Sequence, residues 1–163
     1  MKLITTHPIK KSDLGFHANL FGGKLLAWLD AAGAAYAMEV CDTPRMVTVM
    51  IDKCIFKKPA KEGQLIKIYG DVVNVGNTSI TFYLEARAHN VYSGLQSVIL
   101  STNIRFVRID ENNDPIPISD KVAESQSNIT NLVGKFLDEN GNVQDVNGYH
   151  KAIYAAENVD KIA

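Results

Sequence analysis

Asp30 is the only charged residue between Lys24 and Glu39, in a stretch otherwise made of Leu, Ala, Gly, Trp, Tyr, Met and Val. At helical spacing its neighbours one turn away are Leu26, Ala27, Gly33 and Ala34, and the far side offers Leu25, Leu29, Ala32 and Tyr36. A helix apolar nearly all round is expected to be buried. A carboxylate inside it needs hydrogen-bond partners or a shifted pKa. Two readings are open. Asp30 is a structural aspartate, bonded to backbone or a hydroxyl or lying on a narrow polar strip, or it is a general base or nucleophile lining a cleft. Small side chains around it would leave room for a ligand.

The segment before this stretch, His17-Ala18-Asn19-Leu20-Phe21-Gly22-Gly23, is the second candidate. Paired glycines at a helix start let a ligand approach the backbone, and the first N–H groups of a helix have no intrahelical partner. Such donors suit an oxyanion. The plain alternative is a turn whose glycines serve packing. His17 reads as a solvated loop histidine, and Lys57-Lys58 beside Pro59 as a solvated pair able to meet phosphates.

Other chemistry lacks its motif. There is no G-x-S-x-G elbow, P-loop, H-E-x-x-H or G-x-G-x-x-G. Asp138-Glu139-Asn140-Gly141-Asn142 has spaced oxygens, but Val143 stands where a calcium loop needs glycine. Cys41 and Cys54 are too few and too far apart for a disulfide framework or a metal pair, and read as reduced, mostly buried thiols. Asn77-Thr78-Ser79 and Asn128-Ile129-Thr130 match the glycosylation pattern, an expected coincidence without a secretory signal.

These residues must be positioned by a small set of elements. A β-type run occupies residues 1–10 and ends near Pro8, and Lys11 to Gly15 reads as loop. A helix is predicted from about Gly22 to Val40, with Gly22-Gly23 shaping its approach rather than extending it. Beyond Pro44 the chain turns to β: Met46–Phe56, Leu65–Val75, a strand from Thr78, and Leu95–Ile109, separated by Glu62-Gly63, Gly76-Asn77 and Tyr92-Ser93-Gly94. From Thr78 strict alternation puts Ile80, Phe82, Leu84 and Ala86 on one face of a half-buried strand. One helix followed by a run of strands predicts an α+β fold with an antiparallel sheet. Residues 118–163, rich in Asn, Asp, Ser and Glu, read as an extension, helical or packed on a neighbouring subunit.

Composition is compatible with this. A chain of 163 residues, 46% hydrophobic and 21% charged, supports one domain with a real core. A formal net charge of −1 gives no reason to expect nucleic acid or anionic lipid as a partner. No apolar run is long enough to span a membrane, and the first residues lack a signal-peptide pattern, so a cytoplasmic protein is expected.

In order and spacing, several pieces of the sequence resemble the hotdog-fold acyl-CoA thioesterases of the cytosolic acyl-CoA hydrolase type. They are Ser12-Asp13-Leu14, Asn19-Leu20-Phe21-Gly22-Gly23, Leu26-Ala27-Trp28-Leu29-Asp30, Val47-Thr48, Ile55-Phe56, Lys58-Pro59, Gly63, Gly76-Asn77-Thr78-Ser79 and Val107-Arg108-Ile109-Asp110. The resemblance implies a hotdog domain over 1–117, a long central helix wrapped by a curved antiparallel sheet, paired into homodimers and often into trimers of dimers. It implies that Asp30 is the catalytic carboxylate and faces Asn19 of the partner protomer, with backbone N–H groups near Gly22 and Gly23 polarising the thioester. It places Thr48 and Gly76-Asn77-Thr78-Ser79 near the CoA arm and Lys57 or Lys58 near its phosphates. Trp28, Tyr36 and Met38 are expected to set acyl-chain length, and no cofactor is expected. Ala18 stands where relatives commonly have glycine, and Asn77 sits inside its turn where other residues are more usual. The rival expectations are a hotdog hydratase or dehydratase using His17, and a non-catalytic acyl-CoA-binding module.

Overall fold

The structure, a computed structural model, describes residues 1–118, Val122, 136–137 and 143–144. The chain divides into two compact units, Met1–Ile118 and Ser119–Ala163. In the second, Phe136–Leu137 pairs antiparallel with Val143–Gln144. The expectations for its remainder, including the turn at 138–142 and the Asn128 motif, lie outside the described residues.

In the first unit, β1 (Lys2–Pro8) leads through a 3-10 turn (Lys11–Asp13) to α1 (Gly22–Cys41). Then follow β2 (Met46–Ile51), β3 (Leu65–Val75), β4 (Ser79–His89) and β5 (Gln96–Arg108). The strands form one antiparallel sheet in the order β1-β3-β4-β5-β2. This is the predicted α+β arrangement, one helix against an antiparallel sheet.

The helix-facing side of the sheet carries Ile66, Ile68, Ile80, Phe82, Leu84, Leu100, Ile104 and Phe106, all fully buried. Burial of each such side chain contributes about 1.5–3 kcal/mol. The approach of α1 is set by Gly33: a Cβ there would stand 2.8 Å from Leu84 Cδ1 and 2.9 Å from the Phe106 ring. Register shifts in all four strand pairings insert extra residues that bend the sheet, one of them Val49 between Thr48 and Met50 on the edge strand β2. Asp42, in the left-handed region, donates its N–H to Met38 O and ends α1 two residues before Pro44.

Three sequence expectations are corrected. Gly22 and Gly23 are the first turn of α1, not an approach to it. Their lack of side chains serves close packing, because a Cβ on Gly22 would lie 3.2 Å from the Phe56 ring. The strand expected over Met46–Phe56 stops at Ile51: the Asp52 N–H still donates to Asn103 O, but Asp52 O accepts from the Thr102 hydroxyl and Asp52 Oδ1 accepts the Lys53 N–H. Finally, α1 is not buried all round. Leu25, Leu29, Ala32, Gly33, Ala37 and Cys41 are buried, whereas Ala27, Ala31, Ala35 and Met38 are exposed. The sheet covers only one side of the helix.

Candidate active site

Asp30 lies half-buried on the border between those two faces of α1. Thr48 meets it from β2, its Oγ1 donating to Asp30 Oδ1 at 2.7 Å. Register explains the meeting. Thr48 is opposite Phe106, which packs against the helix, so the Thr48 side chain stands on the helix side of the edge strand. A hydroxyl donating to a carboxylate is a charge-assisted bond that fixes the plane of the acid group. The pair sits at a rim, with Val47, Val49, Met50 and Ile51 exposed along β2.

A second group forms around the start of α1. Asn19, Leu20, Gly22, Leu25, Phe56, Lys57, Lys58, Pro59, Ala60 and Ile99 line a cavity of about 380 Å³. The loop before the helix is held by Gly15 N–H to Asn19 O (2.8 Å), Leu20 N–H to Ala60 O (2.8 Å) and Phe21 N–H to Asp13 O (3.0 Å). Ala18 adopts φ 56°, the conformation that glycine takes most readily. Asn19 Oδ1 is buried with no hydrogen-bond partner among the described residues, an unusual state for a polar atom away from water. The Phe21 N-cap supplies no side-chain bond.

Within one chain these groups are apart. Thr48 is level with Phe106 on β5, while Lys57 donates its N–H to Ile99 O (2.8 Å). That separation corresponds to about 23 Å of strand. Asp30 follows Gly22 by about 12 Å of helix. The Gly76–Ser79 turn falls at the Thr48 end of the sheet, since Ser79 is opposite Val107 and Val107 opposite Val47. Its backbone is engaged: Gly76 N–H donates to Ser79 O, Asn77 O accepts Ile118 N–H, and Thr78 O accepts Arg108 N–H.

The structure thus joins Asp30 with Thr48, and Asn19 and Gly22 with Lys57 and Lys58. It does not bring the two sets together in a single chain. His17 is exposed, edge-on to Phe16. Trp28 stacks on His7 at 4.7 Å between ring centroids, and Tyr36 packs on Phe82 at 4.8 Å, so both are pinned to strands. Burial lowers the His7 pKa and raises that of Tyr36. Burial also raises that of the Cys41 thiol. Sequence reasoning assigned no site role to Phe56, whose ring covers Gly22. Its one signal was an aromatic residue directly before Lys57-Lys58-Pro59, where the chain leaves the sheet. Among the described residues no cluster of His, Cys, Asp and Glu fits a metal ion, and no helix is long and apolar enough to cross a membrane.

Comparison with known proteins decides the family. Residues 17–94 match the thioesterase superfamily. An uncharacterized acyl-CoA thioester hydrolase of Buchnera aphidicola (subsp. Schizaphis graminum) is 32% identical over 108 residues, covering 64% of this chain and 79% of that protein. The chain belongs to the thioesterase superfamily. An acyl-CoA thioester hydrolase of Salmonella typhimurium is 28% identical over 110 residues, 66% of this chain and 82% of that protein. The crystal structure of a hexameric hotdog fold thioesterase of Campylobacter jejuni superposes with a TM-score of 0.69 at 33% identity, covering 78% of this chain and 97% of that one. The sheet and helix described above are therefore those of a hotdog thioesterase. This thioesterase presents two separate arrangements in one chain: an acid group held by a hydroxyl at an open rim, and a cavity lined by the helix start and by Asn19 with its unpartnered Oδ1.

Proposed function

We propose that this thioesterase hydrolyses acyl-CoA to the free carboxylic acid and CoA, at a site completed by a second copy of the chain. The observation that carries this reading is the separation itself. Asp30 and Thr48 stand at an exposed rim, while Asn19 with its unpartnered Oδ1 lies in a cavity that Asp30 does not line. Pairing of the exposed β2 edges of two copies would continue the sheet and bring Asp30 of one protomer to Asn19, Gly22 and Gly23 of its partner. Further assembly into a trimer of dimers agrees with the hexameric state of the Campylobacter protein.

In the proposed mechanism, Asp30 takes a proton from water as its oxygen adds to the acyl carbon. Thr48 holds one carboxylate oxygen and leaves the other to face the water. The negative charge developing on the carbonyl oxygen is met by the N–H groups of Gly22 and Gly23 at the helix start. The C–S bond then breaks and the thiolate of CoA takes up the proton. A thiolate leaves readily, so a carboxylate and an oxyanion site suffice, and no metal or redox cofactor is invoked. Lys57 and Lys58 are assigned to the CoA phosphates, and the Gly76-Asn77-Thr78-Ser79 turn to the CoA arm. We place the enzyme in the cytoplasm, with Cys41 and Cys54 as free thiols.

Thiol release from short, medium and long acyl-CoAs tests the activity, and mixed variants test the shared site. Asp30→Asn and Asn19→Ala are each expected to be inactive, yet mixed protomers regain one intact site per heterodimer, about a quarter of wild-type activity. No recovery on mixing would put both residues in one protomer and end the shared-site reading. Acyl-CoA binding without thiol release would make the protein a binding module.

A further inference from the structure

Asp13 is the most buried carboxylate of the described residues that has no place in the mechanism above, at 7% exposure. It closes the 3-10 turn before α1: Oδ2 accepts the Lys10 N–H at 2.9 Å, and Oδ1 lies 3.6 Å from Lys24 Nζ in the first turn of α1. Its backbone oxygen accepts the N–H of Phe21, the residue that begins the helix, at 3.0 Å. One residue therefore grips both ends of the loop that carries Asn19, and it ties that loop to the helix turn that carries Gly22 and Gly23. A buried carboxylate costs free energy unless it is paired and hydrogen-bonded, and here both conditions are met.

The electrostatics point the same way. The first turn of α1 contains no acidic residue, and it carries Lys24 at the positive end of the helix dipole. Asp13 offsets that charge with an anion held beside the turn. The Lys24 ammonium also lies 5.9 Å from the ring centroid of Trp28, one turn further along α1. The neighbouring His7 feels the Asp13 charge as well.

We infer that Asp13 is a positioning residue. Its carboxylate fixes the loop–helix junction, so that Asn19 and the Gly22 and Gly23 N–H groups are aimed at the thioester carbonyl. The inference rests on the proposed hydrolase reading and concerns rate more than binding, because oxyanion donors act on charge that exists only as the reaction proceeds. A displacement of the junction by a fraction of an ångström then lowers turnover while leaving the CoA contacts in place.

The test uses full-length wild type, Asp13→Ala and Asp13→Asn, with thiol-release kinetics and calorimetric titration of an S-alkyl-CoA thioether, which lacks the carbonyl. For Asp13→Ala, kcat is expected to fall about tenfold or more, with thioether affinity and binding stoichiometry within about twofold of wild type. Asp13→Asn keeps an acceptor for the Lys10 N–H but loses the ion pair, and is expected to recover part of the rate, falling about threefold. Where Asp13→Ala does not fold, Asp13→Asn carries the test by the same two readouts. Unchanged kcat in a folded variant overturns the inference. A fall in kcat matched by an equal fall in stoichiometry also overturns it, since that marks loss of folded protein. If the wild type binds the thioether but releases no thiol from any acyl-CoA, the hydrolase reading fails first and takes this inference with it.

Discussion

The two faces of α1 are built from nearly the same residue types and have opposite fates. On the inner face, Leu25, Leu29, Ala32, Gly33 and Ala37 are sealed against the sheet so closely that a single methyl group at Gly33 would meet Leu84 at 2.8 Å. On the outer face, Ala27, Ala31 and Ala35 are open, and the exposed Glu39 pairs with Lys2 at 2.5 Å. Asp30 stands on the border between them, reached by a hydroxyl from the edge strand. The difference teaches that apolarity alone does not mark the buried side of a helix. The inner face holds the fold together, and the border is where a polar group can be held firmly and still be reached.

Breaking the border has the largest expected effect. Asp30→Asn keeps an acceptor for Thr48, so stability should stay within about 0.5 kcal/mol, whereas kcat for acyl-CoA hydrolysis should fall by about a hundredfold or more. Thermal unfolding beside thiol-release kinetics reads both. Breaking the inner face should do the reverse: Gly33→Ala forces Leu84 and Phe106, both fully buried, to move. Unfolding stability should drop by about 1–3 kcal/mol, with kcat retained at temperatures where the variant stays folded. Thr48→Val sharpens the comparison by freeing the carboxylate without removing it, and kcat should fall about tenfold. The smallest effect concerns His7, which stacks on Trp28 at one end of the border. Burial lowers its pKa, opposed by the Asp13 charge, so the folded state binds fewer protons than the unfolded one. The stability linked to this group is complete above the unfolded value of about 6.5 and is lost as pH falls below it toward the folded pKa. A melting temperature that declines from about pH 7.5 to about pH 5.5, with a shallower decline in His7→Gln, is the expected outcome.

Much of this was legible from residue order. The alternation of Ile80, Phe82, Leu84 and Ala86 gave β4 and its core face directly, because strand periodicity is local. Even there the opposite face is less open than a half-buried strand implies. Thr81 and Glu85 are buried too, with Glu85 held by Tyr83 and Arg87, and Arg87 lying over the Tyr69 ring. Those partners come from a neighbouring strand and from two positions along β4, which a face assignment does not weigh. Asp30 was conspicuous as a lone charge. Its bond to Thr48 was not, because it depends on the register of an edge strand. On propensity the Gly22-Gly23 pair shapes the approach to the helix rather than extending it. The structure places it inside, with Gly22 against the Phe56 ring and Gly23 against the Phe21 ring, despite about 1 kcal/mol per glycine of intrinsic cost. The grip of Asp13 on Lys10, Phe21 and Lys24 is likewise tertiary.

One further consequence follows from the extra residue, Val49, in the edge strand. Without it, Thr48 and Met50 would point to the same side. With it, Thr48 is opposite Phe106 and Met50 opposite Arg105. The insertion therefore works as a phase marker. A slip of one residue in this strand would carry the hydroxyl away from Asp30 and turn the neighbouring side chains over. In the proposed dimer, a second copy aligned along this edge would inherit that phase, so the alignment that continues the sheet would also be the one that leaves the carboxylate held by Thr48. Faulty registry would then show itself as lost turnover before it showed itself as lost structure.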